Sequence, residues 1–130
     1  MKNKILRVIV ITAFTSMVSS SAFAHHGVAH YDMKKTITLN GTIAAFDWGN
    51  PHCLVHVDVP DENGRVQHWT LEMSSAFAMS RKGWDKDTLK KGDRVVAETH
   101  PAQNGLTLGI SSGPGFSLKF MVNEKELLAR

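Results

Sequence analysis

The sequence predicts a mostly β protein: a small OB-like barrel of five to six strands, with one short helix after the third strand. Apolar and polar residues alternate in several short runs, which is the pattern of half-buried strands. Clusters of Gly, Asn, Asp and Pro separate these runs, as turns do. The order of three strands, a helix and then further strands is typical of an OB-like barrel. A small β-sandwich is the alternative that this pattern leaves open.

The first 24 residues have the three parts of a secretory signal peptide. A basic start at residues 2–7 precedes an apolar run over 8–18, and small residues then lead to a signal-peptidase site ending at Ala24. The apolar run is shorter than the roughly 20 residues that a membrane span needs. We therefore expect a periplasmic or secreted protein that begins at His25 and has no stable membrane anchor.

We predict three segments after the signal peptide: a histidine-rich segment at 25–34, a barrel domain at 35–122 and a tail at 123–130 that can form a short helix. The first strand spans 35–48, with a bulge at Gly41, because a glycine inside a strand often marks one. The other predicted strands are 52–59, 65–73, 94–99, 106–110 and 116–122, and the helix follows Ser74 or Ser75 and ends at Gly83.

The turn between the second and third strands predicts their register. A three-residue loop over 62–64, with Gly64 left-handed, puts the apolar residues of both strands on one face. The polar residues of both strands then share the opposite face. The pairs that follow from this loop are Val57 with Trp69, Val55 with Leu71, Asp58 with His68, and His56 with Thr70.

The charge balance excludes nucleic acid as a partner. The chain has 15 Lys and Arg residues against 12 Asp and Glu residues. Lys2, Lys4 and Arg7, all in the predicted signal peptide, account for the whole excess, so the mature chain is formally neutral. A protein that binds the phosphate backbone needs a basic surface.

The histidine-rich segment is the stronger metal candidate. As the first residue, His25 would offer its α-amine and its ring to one metal ion, and His26 and His30 would add further rings. Imidazole and amine nitrogens suit copper, which is the metal we expect. The alternative is that these are arbitrary polar residues that follow a signal junction.

Other histidines lie in the predicted barrel. His56 and His68 are diagonal neighbours in the predicted register, about 7–8 Å apart at the backbone, on the same face as Asp58 and Glu72. These four residues form either a two-histidine carboxylate site or an ordinary solvated face. His52 either packs on Trp48 or adds a ring to the N-terminal site, and the sequence does not separate these two readings.

Two further residue types have structural interpretations. Cys53, the single cysteine, alternates with valines and is predicted to be a small buried hydrophobe. His100 stands before a proline at a strand end, where a structural role is more common than metal ligation. No nucleophile elbow, phosphate-binding glycine loop or His-Glu-x-x-His motif occurs, so we predict no enzyme.

The motifs together resemble a family of small exported bacterial proteins of unknown function, which begin with a double histidine and contain a Trp-x-Asn-Pro-His turn. Here these are His25-His26 and the segment from Trp48 to His52. The resemblance covers the mature chain to about Gly105. It implies an OB-like barrel in the cell envelope and no particular activity, substrate or cofactor. Further motifs, in chain order, are Tyr31-Asp32, Gly41-Thr42, Trp69, Glu72, Arg81-x-Gly83-Trp84, Leu89, Gly92-Asp93 and His100-Pro101-Ala102.

The sequence thus predicts a periplasmic metal-binding protein that handles or sequesters copper. The alternative is a metal-free module of the envelope that binds a ligand or a protein through its polar strand face, where histidine protonation would make the contact pH-sensitive. The predicted metal ligands are His25, His26, His30, His52, His56 and His68.

Overall fold

The computed structural model describes residues 27–127. The chain divides into two compact units, residues 1–30 and residues 31–130. In the first unit the described residues 27–30 form a turn, and the predicted signal peptide with His25 and His26 lies outside the described residues. The elements of the second unit are β1 (Ile37–Asp47), β2 (Leu54–Pro60), β3 (Val66–Glu72), α1 (Ala76–Ser80), β4 (Arg94–Pro101), β5 (Leu108–Ile110), β6 (Ser112–Gly113), β7 (Phe116–Ser117), β8 (Phe120–Val122) and β9 (Lys125–Glu126).

Strands β1 to β5 close a barrel with the OB-like order β1-β2-β3-β5-β4-β1. Strand β1 pairs antiparallel with β2 and with β4, and β2 pairs antiparallel with β3. Strand β5 joins β3 in parallel and β4 antiparallel, which completes the circle. The predicted OB-like barrel, with a short helix after the third strand, is confirmed, and the β-sandwich alternative is not adopted.

The barrel interior is filled by every second residue of the strands. Val55 and Val57 of β2 and Leu71 of β3 are buried, because successive side chains of a strand point to opposite faces. Cys53, at the start of the same run, is a buried free thiol, as predicted. Trp84, which follows α1, covers the barrel and meets the ring of Phe120 edge-on at 5.8 Å.

The β2–β3 hairpin has the predicted register. Gly64 has a left-handed φ of 77°, and the N–H of Asp61 donates to the carbonyl of Arg65 at 2.8 Å, which closes the three-residue loop. The observed pairs include Val57 with Trp69, Val55 with Leu71, Asp58 with His68, and His56 with Thr70.

The start of α1 agrees with the sequence, whereas its last residue is Ser80, a little before the predicted end at Gly83. The Oγ of Ser75 accepts a hydrogen bond from the N–H of Ala78 at 3.2 Å, so Ser75 is the N-terminal cap. The chain leaves the helical region at Gly83, which has a positive φ of 85°. Among the residues that the structure describes, no helix combines the length and hydrophobicity needed to cross a membrane.

The predicted bulge at Gly41 is wrong. The register of β1 shifts between Ile43 and Ala45, so the extra residue is Ala44. Gly41 lies in regular pairing, and a Cβ built on it would collide with the backbone carbonyl of Asp58 and with the Val57 side chain. The glycine is needed because β2 lies so close to β1 at this point that no side chain fits.

The C-terminal region differs from the sequence prediction. The single strand predicted over 116–122 is two strands: β7 pairs with β6, and β8 pairs with β4 beside the five-stranded circle. The predicted helix in the tail is wrong, because β9 returns to pair with β8. Phe120 of β8 is fully buried, so this added hairpin is attached to the core.

Candidate functional site on the histidine face

The outer surface of strands β1 to β3 carries alternating polar residues, which we call the histidine face. It is the surface that OB-like barrels most often use for binding, together with the adjoining loops. His52 lies at one end of it, in the β1–β2 connection that also contains a cis Asn50–Pro51 peptide bond. The residues that make up the face are Asp47, His52, His56, Asp58, His68, Thr70 and Glu72.

The ring of His52 is held by one of its nitrogens. Nδ1 lies 3.3 Å from Oε1 of Glu72 and 3.2 Å from the carbonyl oxygen of Met73. A carbonyl oxygen can only accept, so Nδ1 carries the proton and Nε2 has the lone pair of the neutral ring. The His52 side chain is 43% exposed, and Nε2 makes no hydrogen bond with any described residue. The ring of His52 is therefore oriented through Nδ1, on a side chain that is partly exposed.

Tyr31 forms a hydrogen bond with the other oxygen of the Glu72 carboxylate. Its hydroxyl donates to Oε2 of Glu72 at 2.9 Å. Burial raises the pKa of Tyr31 far above its ordinary value, and the hydrogen bond to Glu72 and the charge of Glu72 raise that pKa further. The phenol thus stays a donor and the carboxylate an acceptor. We call Tyr31, Glu72 and His52 the Tyr–Glu–His cluster.

Backbone contacts fix Tyr31 at this position. Tyr31 forms an isolated bridge with Ala102, beyond the end of β4. The N–H of Asp32 donates to the carbonyl of Pro101 at 2.8 Å, and the side-chain amide of Gln103 donates to the carbonyl of Tyr31 at 3.0 Å. The start of the second unit is thereby tied to the barrel, and this brings the phenol to Glu72.

Tyr31 is the only tyrosine of the chain, so its ionisation can be followed directly by tyrosinate absorbance. We expect the folded protein to show less tyrosinate at about pH 11 than an ordinary tyrosine, which has a pKa of about 10 and is mostly ionised there. The folded state keeps a proton that the unfolded chain loses above about pH 10, so stability falls as the pH rises beyond that value.

Glu72→Gln should lower the pKa of Tyr31, and the denatured protein should titrate normally. Normal titration of Tyr31 in the folded protein, checked by circular dichroism, would contradict the cluster.

His56 is engaged at both ring nitrogens. Nδ1 lies 3.1 Å from Oγ1 of Thr70 on β3, and Nε2 lies 3.0 Å from Oδ2 of Asp47 on β1. The ring therefore links the three strands across the outer face. A metal ion could bind this histidine only by displacing one of the two partners.

His68 forms a separate pair with the carboxylate opposite it. Nδ1 lies 2.7 Å from Oδ1 of Asp58, and the His68 side chain is 80% exposed. The structure thus gives His56 and His68 different carboxylates and does not gather them around one point. Across residues 27–127, no three His, Cys, Asp or Glu side chains form a group that could hold a metal ion.

The remaining histidines lie away from the histidine face. His100 is buried, its Nδ1 lies 2.7 Å from the carbonyl oxygen of Lys35, and its ring stacks at a tilt on Phe116. This agrees with the structural interpretation of His100. His30 lies exposed in the turn of the first unit. The Trp48 ring meets Phe46 edge-on at 5.8 Å, and the contacts of His52 given above are with Glu72 and Met73.

Sequence reasoning gave no role to three residues of the site. Tyr31 stood out only as part of the motif Tyr31-Asp32, and Asp47 was assigned no role. Thr70 was placed opposite His56, but its hydrogen bond to that ring was not predicted. Alternation from Leu39 and Ile43 would place Asp47 on the inner face, and the bulge at Ala44 moves it to the outer face. Nothing in the sequence indicated the partner of Tyr31.

These observations define a class: a small OB-like barrel whose exposed face carries histidines paired with carboxylates. The chain belongs to DUF6152, described as a family of unknown function, and the family model matches residues 13–111. The predicted membership of an uncharacterised family is thus confirmed. The match includes strands β1 to β5 and ends before β6. No curated protein and no solved structure matches the chain.

Proposed function

We propose that this is an exported, periplasmic metal-binding protein that handles or holds copper and does not catalyse a reaction. The observation that carries the proposal is the hydrogen bonding of His52 at Nδ1, together with the partial exposure of its side chain. Metal-ligating histidines almost always donate their second ring N–H to a carboxylate or a backbone carbonyl, which orients the ring and raises its basicity. His52 has both kinds of acceptor at Nδ1, and its side chain is partly exposed.

The other residues of the cluster support the same role. Glu72 lies 3.3 Å from Nδ1 of His52 and so helps to fix the orientation of the ring. Tyr31 fixes the carboxylate that does this. Orientation by such outer partners is commonly worth 10- to 100-fold in metal affinity.

The sequence supplies a second set of ligands. After cleavage at Ala24, His25 would carry a free α-amine beside its imidazole, and His26 and His30 would follow closely. An amine and an imidazole on one residue form a chelate that suits Cu(II). His25 and His26 lie outside the described residues, so this part of the proposal depends on ligand chemistry.

The test is a Cu(II) competition titration of the mature protein against a chromophoric chelator. We expect His52→Ala to weaken binding by at least about 10-fold and Glu72→Gln by about 10-fold. The matched controls are His68→Ala and Asp58→Asn, which alter a histidine–carboxylate pair that lacks the tyrosine. Both controls should bind like the wild type. A His52→Ala protein that is folded and binds copper normally would exclude His52 as a ligand.

A second candidate function is a metal-free envelope module, and the charge of the histidine face favours it. Asp47, Asp58 and Glu72 lie on this face with three histidines and no lysine or arginine among the residues that define it. A partner would therefore be cationic, because the carboxylates of the face attract positive charge. Capture of one cationic partner from envelope extract, insensitive to a chelator and lost in His68→Ala, would favour this function over copper binding.

A further inference from the structure

Asparagine is followed directly by glycine three times in this chain, at Asn40-Gly41, Asn63-Gly64 and Asn104-Gly105. The backbone nitrogen that follows an asparagine can attack the carboxamide carbon of that side chain, and glycine leaves the attack unobstructed because it has no Cβ. All three asparagines are exposed, so exposure does not separate them. The hydrogen bonds of the attacking nitrogen and of the carboxamide oxygen decide which asparagine reacts first.

The first two of these pairs are held in conformations that oppose the attack. Asn40 and Gly41 lie in the regular antiparallel pairing of β1 with β4, so ring closure there requires local opening of the strands. In the hairpin loop the N–H of Gly64 donates to the carbonyl of Asp61 at 2.9 Å. This hydrogen bond has an ordinary length, and it engages the nitrogen that would attack Asn63.

The pair Asn104-Gly105 is restrained least. The nitrogen of Gly105 lies 3.4 Å from the carbonyl oxygen of Ala102, beyond the roughly 2.7–3.2 Å of ordinary N–H···O bonds. The N–H of Leu106 donates to Oδ1 of Asn104 at 3.1 Å. That oxygen gains negative charge as the ring closes, and an N–H already directed at it stabilises the charge. Asn104 therefore combines a weakly bonded nucleophile with a polarised carboxamide.

We propose that Asn104 is the preferred site of spontaneous covalent modification, and that its conversion to isoaspartate loosens the attachment of Tyr31 to the barrel. The nitrogen of Gly105 loses its proton and bonds to Cγ of Asn104, and the side-chain nitrogen leaves as ammonia. One water molecule then opens the resulting cyclic imide. Opening at the backbone carbonyl gives isoaspartate, and opening at Cγ gives ordinary aspartate. Asparagine and water thus become an acid and ammonia, and no oxidant or reductant is needed.

The loop that contains Asn104 is attached on both sides to the candidate site. On one side Ala102 forms the bridge with Tyr31, and on the other the hydroxyl of Thr107 donates to the carbonyl of His68 at 2.7 Å. Isoaspartate carries the chain through its side chain, so it adds one backbone atom between these attachments and shifts them relative to each other. Thr107 is held by β3 through its own carbonyl as well. The isolated bridge with Tyr31 is therefore the attachment that we expect to weaken.

The first experiment is peptide mapping of the folded mature protein during incubation in mildly alkaline buffer, with isoaspartate measured at each Asn-Gly pair by mass spectrometry. We expect Asn104 to react about fivefold faster than Asn63, the factor that one backbone hydrogen bond commonly contributes. Asn40 should react more slowly than Asn63. In urea the three sites should react at similar rates, because the hydrogen bonds that separate them are lost. Reaction at Asn63 or Asn40 as fast as at Asn104 in the folded protein would overturn the proposal.

The second experiment measures the effect on Tyr31 by tyrosinate absorbance at about pH 11. Incubated wild type should show more tyrosinate than fresh wild type, whereas incubated Asn104→Ala should not. Freshly purified Asn104→Asp is the matched control, because it adds the charge without lengthening the backbone, and it should absorb like fresh wild type. Complete conversion of Asn104 with unchanged ionisation of Tyr31 would exclude the loosening of its attachment.

Discussion

Phe120→Ala is expected to lower the free energy of unfolding by about 3–5 kcal/mol, the usual cost of removing a buried phenylalanine ring. Phe120 is fully buried and meets Trp84 edge-on, so the substitution removes an aromatic pair and leaves a cavity under β8. A domain of this size has a total stability of about 5–15 kcal/mol. The single change would therefore remove a large part of it.

Urea unfolding followed by tryptophan fluorescence measures this loss. Phe77→Ala is the matched control, because Phe77 is 68% exposed and lies under Arg81 on the surface. Its effect should stay within about 0.5 kcal/mol. If Phe120→Ala does not fold, Phe120→Leu keeps part of the packing and should give an intermediate midpoint. Equal midpoints for Phe120→Ala and wild type would show that β8 does not contribute to the core.

Moving the α-amine away from His25 is expected to weaken Cu(II) binding about 100-fold. An amine and a ring on one residue act together, because binding of the first holds the second at high local concentration, a gain commonly of 10²–10⁴. A four-residue Gly-Ser extension before His25 keeps every imidazole and removes the amine from the chelate. A single added residue is unsuitable, because it would place His26 third in the chain and create another amine chelate.

The control for this prediction is the same four residues added at the C-terminus, which should leave copper affinity unchanged. Intact mass of the exported protein first establishes whether the mature chain begins at His25. A mature chain with a different first residue, or equal affinity with and without the N-terminal extension, would contradict the amine chelate. The His52 variants are read independently of this result, since they leave the N-terminus intact.

The fold could be predicted largely because the sequence patterns that indicate it each lie within a short segment of the chain. Alternation marked each strand of the circle, Ser75 marked the start of the helix, and Gly64 set the hairpin register. The role of Gly41 was missed because it depends on how close β2 lies to β1, which no local pattern reveals. The short strands β6 to β9 were merged or misassigned because two or three residues are too few to show a period.

The candidate site could be predicted only where both partners lie on one hairpin. Asp58 and His68 face each other across the β2–β3 turn, so the register alone placed them together. Tyr31 reaches Glu72 through a bridge with Ala102, a residue distant in sequence, and Asp47 reaches His56 from another strand. Such contacts depend on barrel closure, which the sequence pattern does not encode locally.

The closing contact between β1 and β4 also has a kinetic consequence. It joins Ile37 to Thr99, residues about 60 positions apart in the chain, whereas the β2–β3 hairpin is joined by a three-residue loop. Contacts between distant segments cost more loop entropy and form more slowly than local ones. The hairpin that carries Asp58 and His68 can therefore form early, whereas the link between Tyr31 and Glu72 waits for the ring of strands to close. The Tyr–Glu–His cluster is thus a late product of folding, assembled only in chains that have completed the barrel.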